Sequence, residues 1–177
     1  MLGLKRGEVA LYPHQKEWET EAQNTICRLK EIFGNIIIDI AHIGSTSVPT
    51  IKAKPIIDIA VAVDSFDRVL TLEENLRKAG FYYLPDIHKW QLLFASGSYY
   101  DGTGELQTHF IHVVKTANPE WRDYINFRDY LIANPEIAKE YEALKESLVS
   151  IPDMNREKYT SSKHNFIVET LRKTRCK

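Results

Sequence analysis

The chain has 177 residues, 44% of them hydrophobic, and its 23 basic and 24 acidic side chains nearly cancel. That length suffices to bury about two-thirds of the unfolded surface around one core, so a single domain over residues 1–177 is expected. The charge balance excludes a global polycation for duplex nucleic acid and an acidic tail, which leaves any phosphate recognition to local groups.

From His14 to Ile32, the apolar residues Trp18, Ala22, Ile26, Leu29 and Ile32 recur at three- and four-residue steps, which predicts an amphipathic helix closed by Gly34. Cys27 falls inside it and reads as a small core residue; Cys176 lies in a terminal tail where disorder is expected. Neither cysteine has a partner at metal-ligand spacing. With no secretory signal or long apolar run in view, a reducing cytoplasm is expected, and no membrane.

Ile36–Ala41 and Ile56–Val63 are too β-branched and too short for helices and read as two interior strands. Val69, Leu72, Leu76 and Ala79 then mark a second helix that ends at Gly80. Phe81–Leu84, Trp90–Ala95 and Leu106–Val114 are further strand candidates, the last two able to pair as a hairpin with a long loop. Beyond Lys115 the pattern turns helical. Asn118-Pro119-Glu120 and Asn134-Pro135-Glu136 each spell an N-cap, a first-turn proline and a dipole-favoured acid, and one more helix spans about 156–173. The expected architecture is α+β: a mixed sheet with packed helices, a core over 13–115 and C-terminal helices over 118–174.

The stretch His42-Ile43-Gly44-Ser45-Thr46-Ser47-Val48-Pro49, followed by Lys54-Pro55-Ile56-Ile57-Asp58-Ile59-Ala60, carries the chemistry. A Gly-Ser turn after one strand and a lone carboxylate within the next suit a phosphate on backbone N–H groups with a divalent cation beside it. The competing reading of Gly44-Ser45-Thr46 is an ordinary tight turn with hydroxyl caps. On strand alternation, Asp58 shares its face with Ile56, Ala60 and Ala62, while Ile57, Ile59, Val61 and Val63 point the other way. A carboxylate in such a run needs a partner, either a basic side chain such as Lys54 or a ligand.

These two segments, with His109-Phe110-Ile111-His112-Val113-Val114, the Asn118–Leu131 stretch and Tyr159, Lys163 and Phe166, closely resemble the GrpB family. The resemblance implies a nucleotidyltransferase-like fold, whose active members pair a Gly-Ser turn with Asp-x-Asp or Asp-x-Glu on one strand and a third acid on a later one. Here the second acid is replaced by Ala60, and His112 stands near the position of the third. An imidazole there can act as a base, a phosphate donor or a metal ligand that favours zinc or manganese over magnesium; a hydrogen-bonded core histidine is the alternative. Alternation sends His109 to the opposite face, so the two histidines are not expected to converge. Lys163 lies on the helical stripe of Tyr159, Phe166, Ile167 and Thr170, and Arg128 on that of Trp121, Tyr124 and Leu131. A cation on an inward stripe points to an anion in a cleft or to snorkelling.

Two readings follow. In the first, the protein binds a nucleoside triphosphate with Mg2+ or Mn2+. Gly44, Ser45, Thr46, Lys54, Arg128 and Lys163 hold phosphate, Asp58 and His112 hold metal and serve catalysis, and a nucleotidyl group passes to an acceptor. In the second, supported by Ala60, it is a nucleotide- or anion-binding module without turnover. Both take a nucleotide or other phosphorylated small molecule as partner. Both require that the Gly44 bend and Asp58 open onto one solvent-reachable hollow.

Overall fold

The computed structural model describes residues 1–85, 89–152 and 154–175. Its elements run β1 (Leu4–Lys5), α1 (Lys16–Phe33), β2 (Asp39–Ile43), β3 (Ile57–Val63), α2 (Phe66–Leu70), α3 (Glu73–Lys78), β4 (Tyr82–Leu84) and β5 (Gln91–Ser96). They continue as α4 (Ser98–Asp101), β6 (Leu106–Gln107), β7 (His109–Lys115), α5 (Pro119–Ala133), α6 (Pro135–Val149), α7 (Arg156–Ser162) and α8 (His164–Arg175). Five strands form one mixed sheet in the order β2-β3-β7-β5-β4, with β3 and β7 parallel and the other neighbours antiparallel. β1 and β6 pair separately.

The sheet has one strongly apolar face. Ile57, Ile59, Val61 and Val63 are fully buried against Trp18, Ala22, Ile26, Leu29 and Phe33 of α1. Each such side chain contributes roughly 1.5–3 kcal/mol on burial, which fixes the register of β3, because a one-residue slip would send all four to the other face. That other face carries Asp58, Ala60 and Ala62, and α5 crosses it over β2, β3 and β7. The small side chains of Ala60 and Ala62 leave room for the helix. α5, α6 and α8 close a second apolar cluster, with Leu131, Ala138 and Tyr141 packed on Val48 and Ile51 just after the Gly44 bend.

Several elements differ from their sequence expectation. Gly34–Ile36 continues α1 as a 3-10 turn, so β2 starts only at Asp39, and it is an edge strand rather than an interior one. Ile38, 57% exposed, reflects that edge position. The helix expected from Val69 to Ala79 is two, broken where the Thr71 hydroxyl bonds the Arg68 carbonyl (2.7 Å) and Leu72 leaves helical geometry. The last helix breaks at Lys163, and the 106–114 strand splits at Thr108. Pro119 and Pro135 do open helices, but neither Asn118 nor Asn134 caps through its side chain; the Asn134 amide instead donates to the Tyr130 carbonyl (2.8 Å) at the end of α5. β5 and β7 pair antiparallel as the hairpin reading requires. Cys27 is exposed, not a core residue: the buried stripe of α1 runs through Thr25, Ile26 and Leu29, which turns position 27 outward. Cys176 lies outside the described residues.

Candidate functional site

Antiparallel pairing sets Ile43, the last residue of β2, opposite Asp58. The chain then turns at Gly44 (φ +71°, ψ −174°) into a single 3-10 turn over Ser45–Ser47, pinned by the Ser47 hydroxyl on the Gly44 carbonyl (2.6 Å). A Cβ on Gly44 would stand 2.6 Å from Asp58 Oδ2 and 3.1 Å from its Cβ. The bend and the carboxylate are therefore in contact, and glycine is required both by the positive φ and by the acid lying against it. The Asp58 side chain remains 32% exposed.

Across the parallel register, Ala60 faces His112. His112 Nε2 lies 3.4 Å from Asp58 Oδ1; its Nδ1 lies 3.1 Å from Gln91 Oε1 and 3.4 Å from the Tyr124 hydroxyl, which itself donates to Gln91 Oε1 (3.3 Å). Gln91 is 5% exposed. Burial, reinforced by the negative charges of Asp58 and Glu120, raises the Tyr124 phenol above its usual range, so it stays protonated and serves as a donor. His109 takes the other face as alternation requires, its ring held by Thr25 (3.2 Å), Thr108 (2.8 Å) and Glu21 (3.3 Å). Desolvation lowers His109 and His42 to about 4 each, against an opposing pull from Asp58, so both are neutral at ordinary pH.

The residues expected to hold phosphate divide into four groups. Gly44 and Ser45 are at the carboxylate, and the Ser45 hydroxyl hydrogen-bonds the phenol of buried Tyr141. Thr46 is 1% exposed; its hydroxyl is engaged by His42 Nε2 (2.9 Å) and the Ile56 carbonyl (3.4 Å), so its side chain anchors the bend from within. Lys54 and Lys163 converge on one ring, their ammonium groups 5.0 Å and 4.3 Å from the centroid of Tyr159. Arg128 stands apart at the sheet edge, donating to the His42 carbonyl (3.0 Å) and paired with Asp129 (2.7 Å). It borders a groove of about 550 Å³ between α1, β2 and α5, lined also by Gln23, Trp121 and Arg122.

Sequence reasoning missed Gln91, Tyr124, Tyr141 and Lys145. Lys145 is 1% exposed, donates to the Lys52 carbonyl and lies 4.9 Å from the Tyr141 centroid. Desolvation, then the positive charge of Lys163, lowers it to about 7 against Glu142 and Glu146. Its signal was available, since Ala138, Tyr141, Lys145 and Leu148 recur at helical spacing, and a lysine on such a stripe is as conspicuous as Lys163. Gln91 stood out less, as one amide at the start of an apolar strand.

Asp58 Oδ1 and His112 Nε2, 3.4 Å apart, are the two atoms that would meet a cation beside the bend. Among the described residues no group of three His, Cys, Asp or Glu side chains is arranged to hold a metal, so a cation there would take its remaining ligands from water and phosphate, as magnesium commonly does.

The mixed sheet has a nucleotidyltransferase-like fold: it superposes on the Cid1 poly(U) polymerase bound to MgGTP with a TM-score of 0.51 over 75% of this chain and 42% of that one, at 15% identity, a likeness of fold alone. The chain belongs to the GrpB family, whose "GrpB protein" profile matches residues 8–173. It is 38% identical to the glutamate-rich protein GrpB of Alkalihalophilus pseudofirmus over 97% of this chain and 98% of that one. The crystal structure of the conserved protein GrpB from Enterococcus faecalis matches with a TM-score of 0.82 at 28% identity, covering 93% and 96% of the two chains. The UPF0157 protein YqkA of Bacillus subtilis is 36% identical over 92% of this chain, which spans 46% of that relative's length. Among the described residues, no helix is long and apolar enough to cross a membrane.

Proposed function

We propose that this chain binds a nucleoside triphosphate together with a divalent cation at the Gly44 bend and Asp58, with the Lys54–Lys163 pair on its phosphates, and transfers a nucleotidyl group to an acceptor with release of pyrophosphate. The observation that carries this reading is the contact of Gly44 with a carboxylate that stays one-third exposed. Asp58 and His112 hold the cation; Gly44 and Ser45 meet phosphate through the bend, and Lys54 and Lys163 meet the phosphate tail. Thr46 supports the bend, and Arg128 contributes from the edge groove. Bound Mg2+ or Mn2+ would neutralise charge on the α-phosphate under attack and on the departing pyrophosphate, while the chain's own residues orient the phosphates in line. His112 and Lys163 offset the acid missing at Ala60.

The absence of a second carboxylate at Ala60 favours a second reading, an anion-binding module without turnover. Calorimetric titration with ATP and GTP in Mg2+ or Mn2+, followed by a pyrophosphate-release assay, separates the two. Binding with release supports the enzyme, and binding without release across a panel of acceptors supports the module. No binding, with Asp58→Asn indistinguishable from wild type, overturns both.

A further inference from the structure

His112 lies between two acceptors, and only one of its nitrogens faces a neutral one. Gln91 Oε1 receives the Tyr124 hydroxyl at 3.3 Å and stands 3.1 Å from His112 Nδ1, so a ring donating Nδ1–H to the same oxygen would complete this cluster. Nε2 would then be a bare lone pair, 3.4 Å from Asp58 Oδ1. A cation between them would accept both lone pairs. Two ligands each about 2.1 Å from one cation and at right angles stand about 3 Å apart, close to the observed separation.

We propose that Gln91 and Tyr124 fix His112 in its Nδ1–H tautomer and thereby make the Asp58 site select first-row cations such as Mn2+ over Mg2+. The inference rests on the reading of Asp58 as a cation ligand and names the cation class that the site takes. Imidazole nitrogen is a softer donor than the carboxylate it replaces, and Mg2+ prefers all-oxygen surroundings. A partner that orients a ligating histidine is usual at metal sites, and here a neutral amide held by a phenol takes that place. Gln91 and Tyr124 are positioning residues: they act through His112.

Long-range 1H–15N spectra of histidine-labelled protein at neutral pH read the tautomer directly, with the His112 signals assigned by their loss in His112→Asp. The expected result is Nδ1–H in the wild type, shifting toward Nε2–H in Gln91→Leu and, less, in Tyr124→Phe, because the Asp58 carboxylate then competes better for the ring's proton. Mn2+ titration followed by EPR, with Mg2+ as competitor, is expected to show at least tenfold tighter binding of Mn2+. That ratio should fall severalfold in Gln91→Leu and most in His112→Asp, which restores an oxygen ligand. A wild-type ring with Nε2–H, or doubly protonated, overturns the proposal without need of any variant. A ratio unchanged in Gln91→Leu overturns it while leaving the cation reading intact; failure of the wild type to bind either cation overturns both.

Discussion

Gly44 and Asp58 occupy what would be the volume of one further methyl group: any β-carbon at position 44 would collide with the Asp58 carboxylate at 2.6 Å. The contact follows from the antiparallel register that sets Ile43 opposite Asp58 and from a bend that only a residue tolerant of φ +71° can make.

Gly44→Ala should therefore destabilise the fold by about 2 kcal/mol or more, combining the left-handed backbone penalty with overpacking against the acid. Asp58→Ala removes the carboxylate contact at 2.6 Å and keeps that of the β-carbon at 3.1 Å. The double variant should accordingly be less destabilised than the sum of the singles by about 1 kcal/mol, a coupling that denaturant midpoints in a double-mutant cycle will measure. Strict additivity would mean that the bend does not press on the carboxylate.

Lys54 and Lys163 approach a single aromatic ring, their ammonium groups 5.0 Å and 4.3 Å from the Tyr159 centroid. Lys163→Met and Lys54→Met should each weaken MgATP binding about tenfold and reduce its salt dependence, with AMP affected less because it lacks the phosphate tail. Stability should change by no more than about 1 kcal/mol from the lost cation–π contact. Calorimetry at two ionic strengths tests this; equal losses for ATP and AMP would place the lysines away from the tail.

The strands around Asp58 were legible because alternation and the β-branched run at Ile57–Val63 reflect direct burial, and the opposite facing of His109 and His112 followed from the same period. The edge position of β2 was not, since Ile36–Ile38 look like strand but are drawn into the turn that ends α1. Nor could spacing reveal that Thr46 turns its hydroxyl inward to His42 and Ile56, or that Gln91, 21 residues from His112, meets it across paired strands. Those contacts depend on strand order, which local pattern does not encode.

Lys145 should make stability rise with pH above neutrality. Its folded value of about 7 lies below the ordinary 10.5, so between those limits the unfolded chain binds more protons, and ΔG of unfolding increases as pH climbs from 7 toward 10.5. Below pH 7 this contribution is lost. Lys145→Met should flatten the slope over pH 7–10, whatever its net effect at one pH, where relief of a buried ammonium competes with the carbonyl of Lys52 left without its donor. Urea midpoints at half-unit intervals provide the check.

His42 and His109 act on the acid side. Each is held near 4, below its ordinary 6.5, chiefly by burial, so each is neutral in the fold and protonates more readily once unfolded. Their contribution is complete above pH 6.5 and disappears as pH falls through about 4, a loss of roughly 2–3 kcal/mol per ring. His109→Gln, which keeps a polar partner for Thr25 without a titrating proton, should remove about half of that acid-limb loss between pH 6.5 and 4. An acid limb unchanged in His109→Gln would mean that this ring is already charged in the native state and paired with Glu21, 3.3 Å away.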